Sequence, residues 1–380
     1  MDFYEQAVKL DPNFAIAWAR LSRADADIYS DQRDTAPSRR EAAKHALENA
    51  QKLQPNSPET LLALGYYQYR VLRDYGAAKI TFGRVSKLLP ASTEVPYALA
   101  EVARREGRWD QSIAYYEQAL ALDPRNVELL REAALTYSIV RQFSAALKLY
   151  DRALDITPND LELMASKASI YEAQGNLQDA GRFLSEINAR TADEDTVTIK
   201  LTQLRLERNY GEAIGLLQFR QAQFHFPSQF VKGREQETLA LMQRLAGDTA
   251  GAKATAEQAR NALEPVCKNQ PDNAFAWAAL ARANALLGER DLALEQMTRA
   301  MTLLPSAEDP MLAPAIERIL PVIQTTFGET RRPISTLARL LQTPSFGPLT
   351  PALLRLDPVW DPLRTDPGFQ RLCEEKQPSS

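Results

Sequence analysis

Apolar residues recur three and four apart through most of this chain, in helix-length stretches separated by short polar phrases that carry proline or glycine. The segment from Ala274 to Pro305 shows the design most clearly. Trp277, Leu280, Ala281 and Asn284 share one face of a first helix, and Gly288-Glu289-Arg290-Asp291 interrupts it. Ala293, Met297 and Ala300 line a second helix that Leu304-Pro305 closes. Glycine gives the turn its backbone freedom, and short alanine side chains let two antiparallel helices approach closely.

This unit recurs. Pro55, Pro90, Pro124 and Pro158 stand 35, 34 and 34 residues apart, and Pro271 and Pro305 repeat the 34-residue step. A period of that length predicts a helical array in which each unit packs only on its neighbours. Leu61, Leu64, Gly65, Tyr75, Ala78, Phe82 and Pro90 make one copy, with one extra residue in the turn. Pro96, Leu99, Ala100, Gly107, Trp109, Tyr116, Ala119 and Pro124 make the next. Leu130, Ala134, Tyr137, Phe143, Ala146, Tyr150, Ala153 and Pro158 follow, then Met164, Ala168, Tyr171, Gly175, Leu177, Ala180, Leu184 and Ile187 without a terminal proline. The first copy, from Trp18 and Leu21 to Pro55, carries a polar insert through Asp31-Gln32-Arg33-Asp34 that reads as an exposed loop. Two degenerate copies centre on Leu201–Leu217 and Leu241–Ala259.

These positions resemble the tetratricopeptide repeat, with its Trp, Leu, Gly/Ala, Tyr, Ala, Phe, Ala and Pro signature. The resemblance implies an all-α fold, a right-handed α-solenoid of about eight helix-turn-helix repeats. Along the chain it gives a partial repeat, second helix only, at residues 1–12 and the array at 13–305. A divergent helix pair at 306–343 and a proline-rich C-terminal cap at 344–380 complete it. Trp18 and Trp277 take the signature tryptophan position, so both are expected to pack in the core.

The ends carry two further expectations. Met1–Leu10 reads as the second helix of a repeat whose first helix is absent. That arrangement implies either a chain cut from something longer or a lone helix serving as the array's cap. The closing phrase Leu356-Asp357-Pro358-Val359-Trp360-Asp361-Pro362-Leu363-Arg364, after an array carrying Arg104-Arg105-Glu106-Gly107-Arg108-Trp109, is similar to the C-terminal repeat region of bacterial multidomain regulators. In those proteins such an array follows a serine/threonine kinase, an adenylate cyclase-type or a winged-helix effector domain.

Composition narrows the function. A net charge of −4 over 380 residues lacks the basic surplus of a nucleic-acid binder. No apolar run reaches the roughly 18 residues that span a bilayer. The two cysteines, Cys267 and Cys373, and the two histidines, His45 and His225, are too few and too scattered for a disulfide framework or a metal cluster. Together these point to a soluble, cytoplasmic protein with no cofactor and no metal.

Candidate chemistry is sparse. Gly247-Asp248-Thr249-Ala250-Gly251 lacks the Lys-Ser/Thr of a phosphate loop and falls at a repeat turn. Asp193-Glu194-Asp195 sits in a polar inter-repeat phrase, which favours a solvated turn over an acid/base pair. The chain reads as a non-enzyme.

The remaining signal lies on the first helix of each repeat, which in the resembled fold lines a concave groove. Residues that the packing frame leaves outward are Arg20, Arg23, Tyr66, Tyr69, Arg70, Tyr97, Glu101, Arg104, Arg105, Glu128 and Arg131. Tyrosine and arginine are the side chains best suited to interface hot spots. Chaperone-binding arrays hold a terminal carboxylate with Lys and Asn at such positions. Here Tyr, Glu and Arg stand there, which favours an extended or helical protein segment. The expected role is a protein-binding scaffold, as the sensory or docking half of a bacterial regulator. A free-standing adaptor or assembly factor, with a homodimer through 201–227, and a small-ligand sensor are the alternatives.

Overall fold

The computed structural model describes residues 2–30, 37–188, 190–191 and 193–375; the predicted loop at 31–36 lies outside them. All described regular structure is helical, and the chain divides into two compact units, residues 1–129 and 130–380.

The first unit opens with α1 (Asp2–Leu10), whose Val8 packs against α2. Three helix pairs follow: α2 (Ala15–Ser30) with α3 (Pro37–Leu53), α4 (Pro58–Arg70) with α5 (Tyr75–Leu88), and α6 (Glu94–Arg105) with α7 (Trp109–Leu122). The division between units falls within α8 (Val127–Ile139). In the second unit α8 pairs with α9 (Phe143–Leu154), α10 (Leu161–Gln174) with α11 (Leu177–Phe183), and α12 (Glu194–Leu206) with α13 (Tyr210–Gln223). The last two pairs are α14 (Gln229–Leu245) with α15 (Thr249–Asn269), and α16 (Ala274–Leu287) with α17 (Arg290–Leu303). Among the described residues, eight helix pairs follow α1.

Local chemistry sets the boundaries. Ser57, Asp160, Asp193, Ser228 and Asn273 accept from backbone N–H groups at the starts of first helices. Asp74, Asn176, Asn209 and Asp248 do the same for second helices. The turn between the two helices needs one left-handed residue, supplied by Gly107, Gly175, Gly247 and Gly288, all with positive φ. Arg73, Arg141 and Arg208 fill the same position at φ 55°, 62° and 59°. An L side chain there costs on the order of 1–2 kcal/mol.

Inside each pair, small residues face each other. Ala43, Ala78, Ser112, Ala146, Ala180, Ala213, Ala252 and Ala293 start the second helices, all buried. At the matching positions of the first helices stand Ser22, Gly65, Ala100, Ala134, Ala168, Ala240 and Ala281, and in the degenerate repeat of α12 the larger Leu201. Where serine replaces alanine its hydroxyl is satisfied across the pair: Ser22 donates to the Ala43 carbonyl and Ser112 to that of Ala100, both at 2.8 Å. Trp18 and Trp277 are half-buried, and each indole N–H donates to the carbonyl of the proline six residues earlier, Pro12 at 2.9 Å and Pro271 at 3.0 Å.

One position breaks the rule. Arg220 stands where the equivalent second helices carry Ala119, Ala153 and Ala259, and it is 1% exposed. Its Nε donates to Glu235 at 2.7 Å, Nη1 donates to the Thr191 carbonyl at 2.5 Å, and the guanidinium lies 4.5 Å over Phe224.

After Leu304 the period ends. Where the divergent pair expected at 306–343 would have one first helix, the structure has two, α18 (Ala313–Glu317) and α19 (Ile319–Thr326). Pro321 has no N–H for the Glu317 carbonyl and its ring crowds that group, so the helix breaks there. The rest is α20 (Arg331–Gln342), α21 (Pro351–Leu356), a 3-10 turn at Pro358–Leu363 and α22 (Pro367–Glu374). Their apolar residues form one small core of Leu337, Leu340, Leu341, Leu349, Leu354, Trp360, Leu363, Phe369 and Leu372. Asp357 and Asp366 cap the two proline-initiated turns, which is what the Asp-Pro phrases encode.

Two stability predictions follow from this packing. A Cβ at Gly65 would stand 2.4 Å from Cε1 of the buried Phe82. Gly65→Ala should therefore destabilise the first unit by about 1–3 kcal/mol, read from the denaturant midpoint, with Phe82→Leu recovering part of the loss. Arg220→Ala strands the Glu235 carboxylate and should cost about 3–5 kcal/mol, whereas replacing both with Leu should cost much less. Equal losses in the single and double variants would show that the pair is not what matters.

Candidate functional site

The candidate surface runs along the first helices of the repeats in the first unit. Arg20, Arg23 and Asp27 are spaced to share one face of α2, as are Tyr66, Tyr69 and Arg70 on α4. On α6 the same spacing aligns Glu94, Tyr97, Glu101, Arg104 and Arg105. Arg131, expected on the same surface, lies in the second unit, where it pairs with Glu132 at 2.9 Å and Glu162 at 3.2 Å.

Of the ten expected residues of the first unit, Arg20, Arg23, Tyr66, Tyr69, Arg70, Glu101 and Arg105 form one linked network, and Tyr97, Arg104 and Glu128 gather beside it with Tyr116. Arg23 bonds Glu94 at 2.9 Å, and Arg20 reaches the other oxygen of that carboxylate at 3.9 Å. Arg70 bonds Glu101 at 2.9 Å and also contacts Asp27. The Tyr66 ring lies between two guanidiniums, Arg23 at 4.3 Å and Arg70 at 4.7 Å from its centroid. Each such contact is worth about 1–2 kcal/mol when partly desolvated, which offsets some of the cost of drawing the cations in. Arg105 hydrogen-bonds the Tyr69 phenol, Tyr97 donates to Glu128 at 3.5 Å, and Arg104 lies 5.7 Å from the Tyr116 centroid.

The network corrects the expectation of outward side chains. Tyr66, Tyr69, Glu101 and Arg104 are buried, with Tyr66 only 1% exposed. The cause is mutual coverage: Arg70 folds over Tyr66 from the same helix, and neighbouring first helices are close enough for Arg23 to cover it too and for Glu101 to sit under Arg70. Arg20 remains 40% exposed in its side chain, and Tyr97 and Arg105 are half-buried. Asp27 and Glu94 complete the network and were missed in the sequence reading; their placement one helical face from Arg23 and Tyr97 was the available signal.

Two buried polar atoms stand apart. The Tyr66 hydroxyl and Oε2 of Glu101 find no hydrogen-bond partner among the described residues. Burial, then the nearby Glu101 carboxylate, pushes the Tyr66 phenol well above its ordinary range, and the same two causes raise Tyr69.

Other candidate chemistry resolves into structure. Asp193 caps α12 through the Thr196 N–H at 2.7 Å, and Asp248 caps α15 through that of Gly251 at 2.8 Å. Burial pushes the Cys267 thiol up to about 12, which removes it as a nucleophile at neutral pH. Among the described residues no three His, Cys, Asp or Glu side chains are grouped to hold a metal ion, and no helix is long and apolar enough to cross a membrane.

Comparison with known proteins agrees with this repeat design. Models of the tetratricopeptide repeat match residues 90–159 and 141–201, so the chain carries tetratricopeptide repeats. Among solved structures, a tetratricopeptide repeat protein from Parabacteroides merdae is similar over 70% of this chain and 98% of its own, at 17% identity and a TM-score of 0.49. PilW, a type IV pilus biogenesis factor, is similar over 52% of this chain and 87% of its own, at 19% identity and a TM-score of 0.41. YrrB, a repeat protein with an unusual peptide-binding site, is similar over 52% and 92%, at 16% identity and a TM-score of 0.32. No curated protein matches the chain.

The raised phenols give a pH prediction. Their folded-state pKa lies above the unfolded value near ~10. Their contribution to stability is therefore complete below that pH and is lost as pH rises toward the folded-state values. The unfolding midpoint should fall between pH 9 and 11 (about one unit either side of the unfolded pKa), less steeply in Tyr66→Phe. Ionisation of every tyrosine in one step near pH ~10 in the folded chain would contradict the assignment.

Proposed function

We propose that this chain is a non-catalytic protein-binding scaffold whose first unit docks a partner segment on the first-helix face of its repeats. The observation that carries the reading is the orphaned pair, the Tyr66 hydroxyl and Oε2 of Glu101, within a strip otherwise made of Arg and Tyr. Buried polar atoms without partners are costly. A segment that displaces the covering Arg23 and Arg70 guanidiniums and offers a backbone amide or a side-chain donor would satisfy both, and Arg20, Tyr97 and Arg105 would form the rim that it meets first. The closing Leu356–Arg364 phrase supports a narrower reading, that this scaffold is the docking or sensory half of a bacterial regulator.

Two measurements test these levels separately. A photo-crosslinking residue at Arg20 or Tyr97, introduced in the host cell, should capture a discrete partner. Purified partner should then bind the Tyr97→Ala and Arg20→Glu variants about 10-fold or more weakly, as expected for hot-spot loss of about 1.4 kcal/mol or more. Unchanged affinity in both variants would move the site elsewhere. A native polypeptide heavier than these 380 residues, with an effector sequence attached, would support the regulator reading. A native mass equal to them would overturn that reading and leave an adaptor.

A further inference from the structure

The cap of the second unit touches the array through an ordered series of contacts to three successive inter-helix turns. Arg141 donates to the carbonyls of Leu340 at 3.1 Å, Thr343 at 3.0 Å and Leu349 at 3.2 Å. One repeat on, the Thr350 hydroxyl donates to the Ala173 carbonyl at 2.6 Å, and Ala352 lies so close to Gly175 that a Cβ there would be 3.1 Å away. At the next turn Arg205 grips Asp357 through two bonds, 3.1 and 3.0 Å, and Arg208 grips Asp361 through two more, both 2.7 Å. Residues 349–361 therefore advance along the turns in the same order as the repeats themselves.

Arg141 and Arg208 occupy the left-handed turn position that glycine fills in Gly175, Gly247 and Gly288. A strained non-glycine residue persists where its side chain has a task, and here both guanidiniums hold the same strand of chain. Two bidentate arginine–carboxylate forks with aspartates four residues apart make a recognition pattern of high geometric specificity. One of the two forks is weakly held. The Arg208–Asp361 pair is open to solvent, with 48% and 39% of its side chains exposed, so salt and water reduce its worth. The apolar residues of the segment, Leu349, Leu354, Trp360 and Leu363, pack into the cap's own core. Arg141 receives only carbonyls, and burial lowers its pKa, so a carboxylate would be a better partner than the present one.

We propose that this row of turns is a peptide-binding site for an extended acidic Asp-Pro segment, with residues 349–361 as its resident ligand. A partner protein's segment of the same chemistry displaces them. This site is separate from the first-helix surface of the first unit and does not depend on that reading.

The test uses the full chain and a fluorescent synthetic peptide of residues 349–364. The Asp357→Asn/Asp361→Asn variant, its resident ligand weakened, should bind the peptide at least 10-fold more tightly than the unaltered chain, and progressively less as salt is raised. Adding Arg205→Gln/Arg208→Gln should abolish that binding. A folded Asp357→Asn/Asp361→Asn variant that binds no peptide would overturn the proposal, as would one that instead dimerises with concentration by exchanging caps. Should that variant fail to fold, hydrogen exchange on the unaltered chain decides. Amides of Leu353–Trp360 exchanging faster than those of α12, and faster still at high salt, support displacement. Exchange only with global unfolding makes the segment a permanent cap and overturns it.

Discussion

Everything in this molecule depends on how closely the two helices of each pair approach. Ala43, Ala78, Ala146, Ala180, Ala213 and Ala293 sit at full burial at that contact, and Gly65 leaves only enough room for the Phe82 ring. A side chain longer than alanine forces either a shift or a polar solution. Serine supplies the polar solution twice by returning its hydrogen bond to the partner helix, at Ser22 and Ser112. Arg220 supplies it at the neighbouring small position by carrying its own acid, Glu235. Such a pair adds little net stability over an apolar filling but is expensive to break. The degenerate repeat around α13 is thus held by a charge pair where the regular repeats use alanine contact.

The same closeness governs the first-helix surface. Positions that would face a ligand in isolation are near enough to their counterparts one repeat away to bond them. Arg, Tyr and Glu alternate so that each cation finds an anion or a ring: Arg23 with Glu94 and Tyr66, Arg70 with Glu101 and Tyr66. The surface is therefore neither strongly basic nor acidic. Among what it leaves unsatisfied are the Tyr66 hydroxyl and one oxygen of Glu101, and recognition there favours hydrogen-bond direction over net charge.

Much of this was legible in the sequence. The 34-residue step, the turn glycines and the buried alanines gave eight helix pairs near their observed bounds, because those features are local and repeated. The groove residues were identified by position but not by state. Burial of Tyr66 comes from Arg70, four residues on in the same helix, and from Arg23 on the neighbouring first helix, and pairing across that gap of 43 residues has no local signature. The helix break near Arg318 was readable from Pro321 and was overlooked in a stretch whose apolar period ran on. The contacts of the cap were not readable at all, since they join residues 152 and 153 apart.

One mark of those contacts was nonetheless written locally. Among the seven described inter-helix turns, four use glycine and three use arginine at a backbone angle that arginine disfavours. A repeat array free to optimise each unit alone would place glycine at all seven, since nothing within the pair rewards a longer side chain there. Arg141 and Arg208 gain what glycine cannot give, a guanidinium projecting from the turn to a distant segment of chain. For Arg73 the structure offers no such account. Departure from the repeat's own best residue is therefore informative in a way that agreement is not. Agreement reports the packing of a pair, and departure at a strained position reports a contact made beyond it.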